Sequence, residues 1–161
     1  MHRGRDALLR AAYRVGYRIL RGWWRVAQPR KRGVKCVLRR RGEVLLVRHT
    51  YGTRRSEWDL PGGGVKRGEE PREAARREAR EELGVEIDQW LLLGDLFARI
   101  DRKRDRLWCF TSDVNGLDLD LDKAEIAEAR WFNEGRLPEP IARYVPRILA
   151  MAAGRRGTAR T

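Results

Sequence analysis

The stretch "LPGGGVKRGEEPREAARREAREELG", Leu60 to Gly84, constrains this chain more than any other. A run of glycines, Gly62, Gly63 and Gly64, with Gly68 after it, precedes a segment rich in Ala, Arg, Glu and Leu. Those residue types favour helix, Pro71 suits a first helical turn and Gly84 suits a stop. The predicted helix runs from about Pro71 to Leu83. Its charges are segregated. Glu78, Glu81 and Glu82 share one face by their i, i+3, i+4 spacing, and Arg72, Arg76 and Arg80 form a like-charge row on the other. Only Glu73 and Arg77 follow the order, acid four residues before base, that a solvated helix prefers.

Glu78 and Glu82 repel each other, a cost of about a few tenths of a kcal/mol in an isolated helix. Ala75, Ala79 and Leu83 flank them, which puts this edge near the core boundary, where unpaired carboxylates cost more. A divalent cation relieves the repulsion. Clustered carboxylates without nearby His or Cys suit a hard ion, Mg²⁺ or Mn²⁺, and glycines let backbone approach a ligand closely. A solvated helix face is the competing reading of the same charges.

The stretch from Gly63 to Val85 resembles the box of the Nudix hydrolase family, G-x5-E-x7-R-E-U-x-E-E-x-G-U with U a bulky aliphatic. Gly63, Glu69, Arg77, Glu78, Glu81, Glu82, Gly84 and Val85 fall in register, and Ala79 stands where a larger aliphatic is usual. The flanking "WDLPGG" and "EIAEARWF" are also similar to that family, over roughly residues 33–150. The resemblance implies an α/β (α+β) fold, an α/β/α sandwich with a mixed sheet. It implies an enzyme, a Mg²⁺-dependent pyrophosphohydrolase cutting the diphosphate linkage of a nucleoside diphosphate derivative such as a nucleoside triphosphate or nucleotide sugar. Two alternatives stay open, an RNA 5′-end pyrophosphohydrolase and a non-catalytic nucleotide-sensing module.

Residue by residue, the resemblance makes Glu78 and Glu82 the principal metal ligands and the Gly63 carbonyl a further one. Glu81 joins the metal cluster or acts on the attacking water, and Glu69 with Arg77 forms a structural ion pair. Glu125 and Glu128, in the acidic stretch before "ARWF", are candidate general bases, with an ordinary acidic loop as the alternative. Arg48 and His49 end a strand next to the glycine loop and could reach substrate phosphate, with plain solvent-facing polar residues as the alternative. Trp108 or Phe110 offers a ring for stacking a base, with core packing as the alternative for both, and Trp58 is read as structural.

Around this centre, "VKCVLRRRGEVLLVRH" predicts two strands about a turn at Arg41-Gly42. "QWLLLGDLFARI" and "DRLWCFTSDV" predict strands joined by a charged turn, Asp101 to Arg106. "DLDLDKAEIAE" reads as an acidic loop, "ARWF" as a short strand, and "EPIARYVPRILAMAA" as a last helix kinked or broken near Pro146. The two cysteines, Cys36 and Cys109, lack paired spacing, which speaks against a disulfide framework or a zinc site.

The net charge of +13 is uneven. Residues 36–153 hold 22 basic and 22 acidic residues, while residues 1–35 carry 11 Lys/Arg against Asp6. From about Asp6 to Val26, Arg10, Arg14, Arg18, Arg21 and Arg25 form one stripe of a basic amphipathic N-terminal helix whose other faces are apolar. The expected organisation is a helical extension over 1–32, the family domain over 33–153 and a basic tail over 154–161. The extension has three readings: packing on the domain or on a second copy as a homodimer, contact with an anionic membrane surface, or an arginine-rich transit peptide, for which no cleavage site is visible. Nucleic-acid contact through these residues also fits the charge. No run of about 18 apolar residues exists to span a membrane. The expected partner is a nucleotide-type small molecule, and the expected location is cytoplasmic, with peripheral membrane contact through the extension.

Overall fold

The computed structural model describes residues 32–52, 55–100 and 103–157. The N-terminal helix expected over Asp6 to Val26 lies outside the described residues. Five strands, β1 (Arg32–Arg40), β2 (Glu43–His49), β3 (Leu91–Ile100), β4 (Lys103–Asp113) and β5 (Ile126–Asn133), form one sheet in the order β3-β4-β1-β2-β5. Only β1 and β4 pair in parallel, so the sheet is mixed. Among the described residues two helices, α1 (Pro71–Leu83) and α2 (Val145–Gly157), complete the element order.

Alternation along β1 sets the layers. Val34, Cys36 and Leu38 join Leu45, Val47 and Phe110 in a buried cluster with Ala74, Ala75, Ala79 and Leu83 of α1. Val37 joins Val44, Leu46, Leu96, Leu107 and Cys109 in a second cluster with Val145, Ile148, Leu149 and Ala152 of α2. The sheet therefore lies between the helices, an α/β/α sandwich. Among the described residues no helix is long and apolar enough to cross a membrane.

The β1–β2 turn falls where expected, with Arg41 at φ 46° and Gly42 at φ 83°. Paired left-handed residues give a two-residue turn whose twist matches its strands. Three boundaries differ from expectation. The charged turn expected over Asp101 to Arg106 is shorter: β4 starts at Lys103, and Arg99 faces Arg104 in the ladder. Charged residues at a hairpin end need no burial, so backbone pairing continues through them. β5 extends beyond "ARWF" on both sides, from Ile126 to Asn133, with Glu128 opposite Arg48 and Asn133 opposite Glu43 of β2. Pro146 does not kink α2. It occupies the first turn, where its missing N–H would have no intrahelical partner. The helix then runs to Gly157, through residues assigned from sequence to the tail.

Candidate active site

β1 and β2 pair only beside their turn, Arg39 with Val44 and Arg40 with Glu43. Beyond it they part, and the glycine segment fills the gap. Val34 N donates to Gly63 O and Cys36 N to Pro61 O, each at 2.9 Å, while Val65 N donates to Arg32 O at 3.1 Å. On the other side Val47 and Asp59 exchange hydrogen bonds of 2.8 and 2.9 Å. The segment thus behaves as a short strand wedged into the sheet. Close approach explains the glycines. A Cβ on Gly62, at φ 134°, would lie 2.3 Å from the Val34 carbonyl oxygen, and one on Gly63 would lie 2.6 Å from the Glu78 carboxylate.

α1 delivers the carboxylates against this wedge. Gly84, at φ 69°, ends the helix and its N–H donates to the Arg80 carbonyl at 3.1 Å. Ala74, Ala75, Ala79 and Leu83 face the sheet, and along their edge Glu78 and Glu82 are each only 1% exposed. Glu82 Oε2 accepts from Gly62 N at 2.8 Å. Arg76 and Arg80, on the other face, meet Asp88 and Glu86 of the following segment near the surface.

Arg77 joins helix to loop. Its Nε and Nη2 donate to the two oxygens of Glu69 at 2.7 and 2.9 Å, and Nη2 also to Gly64 O at 2.8 Å. Nη1 reaches Glu78 Oε1 at 2.6 Å and Glu81 Oε2 at 3.2 Å. Burial works against the Arg77 charge, but the Glu69 hydrogen bonds and the Glu78 charge outweigh it and raise the guanidinium above its ordinary value. Desolvation likewise opposes the Glu69 charge, yet bonds from Arg77 and the Lys66 backbone hold its carboxyl below its usual value.

The acidic loop, residues 114–125, closes the far end of α1. Asp120 N donates to Leu83 O at 2.9 Å and Asp122 N to Glu82 O at 3.1 Å. These bonds satisfy carbonyls that a helix end leaves open. They bring Glu125, 2% exposed, to the same end of the helix as Glu82. Glu128 goes elsewhere. It pairs with Arg48 and with Arg130. Arg48 also lies over Trp58, its guanidinium carbon 5.0 Å from the ring centroid. Trp58 packs in the α2-side cluster, edge-on to Phe132. The structure therefore does not bring Arg48 or Glu128 to the Glu78–Glu82 group. Phe110 is buried against Trp90, and Trp108 is half-buried between Arg32 and Arg106.

One group escaped the sequence reading. Lys35 Nζ donates to Asp59 Oδ2 at 2.7 Å and to Leu60 O at 2.9 Å, and Tyr144 Oη lies 2.5 Å from the same Asp59 oxygen. This buried network ties the wedge to β1 and to the start of α2. Its only sequence signal is a lysine at a strand position that alternates with core residues.

The donor set fits a hard divalent ion: all candidate donors are oxygens, with the carboxylates of Glu69, Glu78 and Glu81 around the single guanidinium of Arg77 and that of Glu82 on the Gly62 N–H. Glu78 and Glu81 converge on Arg77, and among the described residues no three acidic, His or Cys side chains stand grouped so as to hold a metal ion.

A mixed sheet between two helices, with buried helical carboxylates under an inserted glycine strand, defines the class of fold. The sequence model of the NUDIX domain matches residues 29–151, and the chain belongs to this family. It is 31% identical over 105 residues to an uncharacterized Nudix hydrolase of Listeria monocytogenes, covering 63% of this chain and 62% of that protein. The chain thus spans about three fifths of the length of that relative. It is 28% identical over 144 residues to a protein named RNA pyrophosphohydrolase from Bartonella bacilliformis, covering 72% and 85% of the two. The crystal structure of a MutT NUDIX hydrolase from Burkholderia pseudomallei shares the fold, with a TM-score of 0.70 at 23% identity, over 77% of this chain and 98% of that one.

Proposed function

We propose that this chain is a divalent-metal-dependent pyrophosphohydrolase, cleaving the diphosphate linkage of a nucleoside diphosphate derivative such as a nucleoside triphosphate or nucleotide sugar. The observation that carries the reading is the pair Glu78 and Glu82, buried side by side beneath a glycine segment that approaches them closely. The names of relatives, RNA pyrophosphohydrolase and putative 8-oxo-dGTP diphosphatase, support it.

Glu78, Glu81 and Glu82, with the second lone pair of the Gly63 carbonyl, would hold Mg²⁺ or Mn²⁺. When bound, such an ion neutralises diphosphate oxygens and acidifies a water. The protein's own part is positioning. Arg77 orients Glu78 and Glu81 and braces the helix against Gly64 through Glu69. A carboxylate, Glu81 or the buried Glu125, accepts the proton of the attacking water. The new P–O bond forms at one phosphorus as the bridging P–O bond breaks, and the other phosphate leaves as an anion. Residues 1–32 are assigned a contact role, toward the domain, a second copy or an anionic surface, on the strength of their arginine stripe and tryptophans.

The test is a Mg²⁺-dependent hydrolysis screen over nucleoside triphosphates, nucleotide sugars and dinucleotides. Glu82→Gln should lower kcat by about a hundredfold or more, as loss of one strong charge-stabilising group does, with little change in far-ultraviolet circular dichroism. Full activity in that variant would refute the metal assignment.

A further inference from the structure

A glycine strand sets its own register poorly. Gly62, Gly63 and Gly64 carry no side chains to choose a face or a partner, and a Gly-rich strand is prone to slip against its neighbours. Yet this one places two backbone groups closely. The Gly62 N–H donates to Glu82 Oε2 at 2.8 Å, and the Gly63 carbonyl accepts from Val34 N at 2.9 Å, beside Glu78. Its ladder is also interrupted. Asp59 pairs with Val47 of β2, but by Pro61 the partner is Cys36 of β1. The strand changes neighbours between those two residues, and Pro61 has no N–H to offer.

The Lys35–Asp59–Tyr144 group sits at that change. Lys35 projects from β1 on the α2 side, between Val34 and Cys36 of the α1 side. Its ammonium holds the Leu60 carbonyl at 2.9 Å, and the Asp59 carboxylate takes the Leu60 N–H at 2.7 Å. Side chains thus fix both backbone groups of Leu60. Two residues on, Glu82 holds Gly62 N from the α1 side. The strand is clamped from both faces of the sheet, by a cation on one and a carboxylate on the other. Tyr144 carries the clamp to the start of α2, with its hydroxyl 2.5 Å from Asp59 Oδ2 and Lys35 Nζ 5.5 Å from its ring centroid. The residues just before it hold Trp58, whose N–H donates to Pro140 O at 2.8 Å and whose carbonyl accepts from Ala142 N at 2.9 Å.

We propose that Lys35, Asp59 and Tyr144 are positioning residues for the reaction, fixing the register in which the glycine strand presents Gly62 and Gly63 to Glu82 and Glu78; this rests on the reading of that site as a diphosphate hydrolase. Packing alone does not require the group. Lys35 is 6% exposed, and burying a charge pair carries a desolvation cost that apolar residues would not incur. What an apolar residue cannot do is hold one carbonyl in one place. A second buried pair on the same side of the sheet gives the contrast. Arg39 donates to the Glu134 carboxylate at 2.8 and 2.6 Å and to Ala152 O at 3.1 Å. It lies beside the β1–β2 turn and braces the later part of α2 rather than the glycine strand.

The test compares the full chain with Tyr144→Phe, with the double variant Lys35→Met/Asp59→Asn and with Glu134→Gln, each assayed well below its melting temperature. Tyr144→Phe removes only a hydroxyl. The double variant removes both charges together, so neither is left buried alone, and Asn keeps an acceptor for the Leu60 N–H. With a nucleoside triphosphate and saturating Mg²⁺, kcat should fall about tenfold in the first and about a hundredfold in the second, as small misplacements of reacting groups do, while KM changes little. Glu134→Gln, which loosens a buried pair away from the site, should keep the wild-type kcat. The second readout needs no metal. In the metal-free protein the Gly62 amide proton, drawn downfield by its charge-assisted bond to Glu82, should move upfield in both network variants and stay in place in Glu134→Gln. Wild-type kcat in both network variants, a loss of kcat that Glu134→Gln matches, or a Gly62 resonance that does not move would each overturn the proposal. A wild type that hydrolyses none of the screened nucleotides refutes the diphosphate reading alone, and the Gly62 resonance then decides whether the group sets the register.

Discussion

Arg77 and Asp59 do related work at two borders of the same segment. Arg77 spreads its donors over Glu69, Glu78, Glu81 and Gly64, a fan that a lysine's single ammonium could not reproduce. Asp59 gathers Lys35, Tyr144 and the Leu60 N–H onto one carboxylate. Burial opposes its charge, but Lys35 and His49 nearby, with bonds from Lys35 and Tyr144, hold its carboxyl below the usual aspartate value. Such a carboxylate binds its proton more weakly folded than unfolded, so its stabilising contribution is whole above the ordinary value, about pH 4, and is lost as pH falls below that toward the folded value. Denaturant melts of Asp59→Asn across pH 7 to pH 3 should show about 3 kcal/mol less stability at neutral pH, because Lys35 loses its buried partner. They should also show a shallower decline below about pH 4 than the wild type; parallel declines would mean that Asp59 does not titrate in this way.

Helix α1 and the inserted glycine strand are one functional element in two pieces, and their two close contacts separate stability from activity. Gly62→Ala forces an L-residue to φ 134° and its Cβ against the Val34 carbonyl. The backbone alone should lose ~1–3 kcal/mol, visible as an earlier denaturant midpoint. Gly63→Ala presses instead on the Glu78 carboxylate. It should lower kcat by more than the change in midpoint explains; equal damage to both properties by both variants would contradict this division. The carboxylate face of α1 was legible because helical periodicity is local: three and four residues along the chain mean adjacency in space. The glycine strand was legible only as a turn, since its pairing partners lie in β1 and β2. The Lys35–Asp59–Tyr144 network was hidden for the same reason, its members being 24 and 85 residues apart. Arg48 has a partner of the same distant kind: strand pairing with β5 sets it against Glu128, which its nearness in sequence to the glycine loop does not reveal. Charge misled at the β3–β4 turn, where a polar run that looks like loop is ladder.

Across the whole molecule, the formally neutral central region is organised by a sheet that is not continuous between β1 and β2. The β1–β4 and β3–β4 ladders are long, while the β1–β2 ladder is brief and its remainder is completed by residues 59–65. A sheet closed by an inserted strand carries its own reporters. The amides of Val34, Cys36 and Val47 are shielded by Gly63, Pro61 and Asp59, so their exchange with deuterated water counts openings of the glycine strand rather than unfolding of the chain. Nucleotide with Mg²⁺ should slow those three amides while leaving the β1–β4 ladder unchanged, and slowing of both alike would show that the strand opens only with the whole domain. Occupancy of the site could then be timed from the backbone itself, without a dye, a label or turnover.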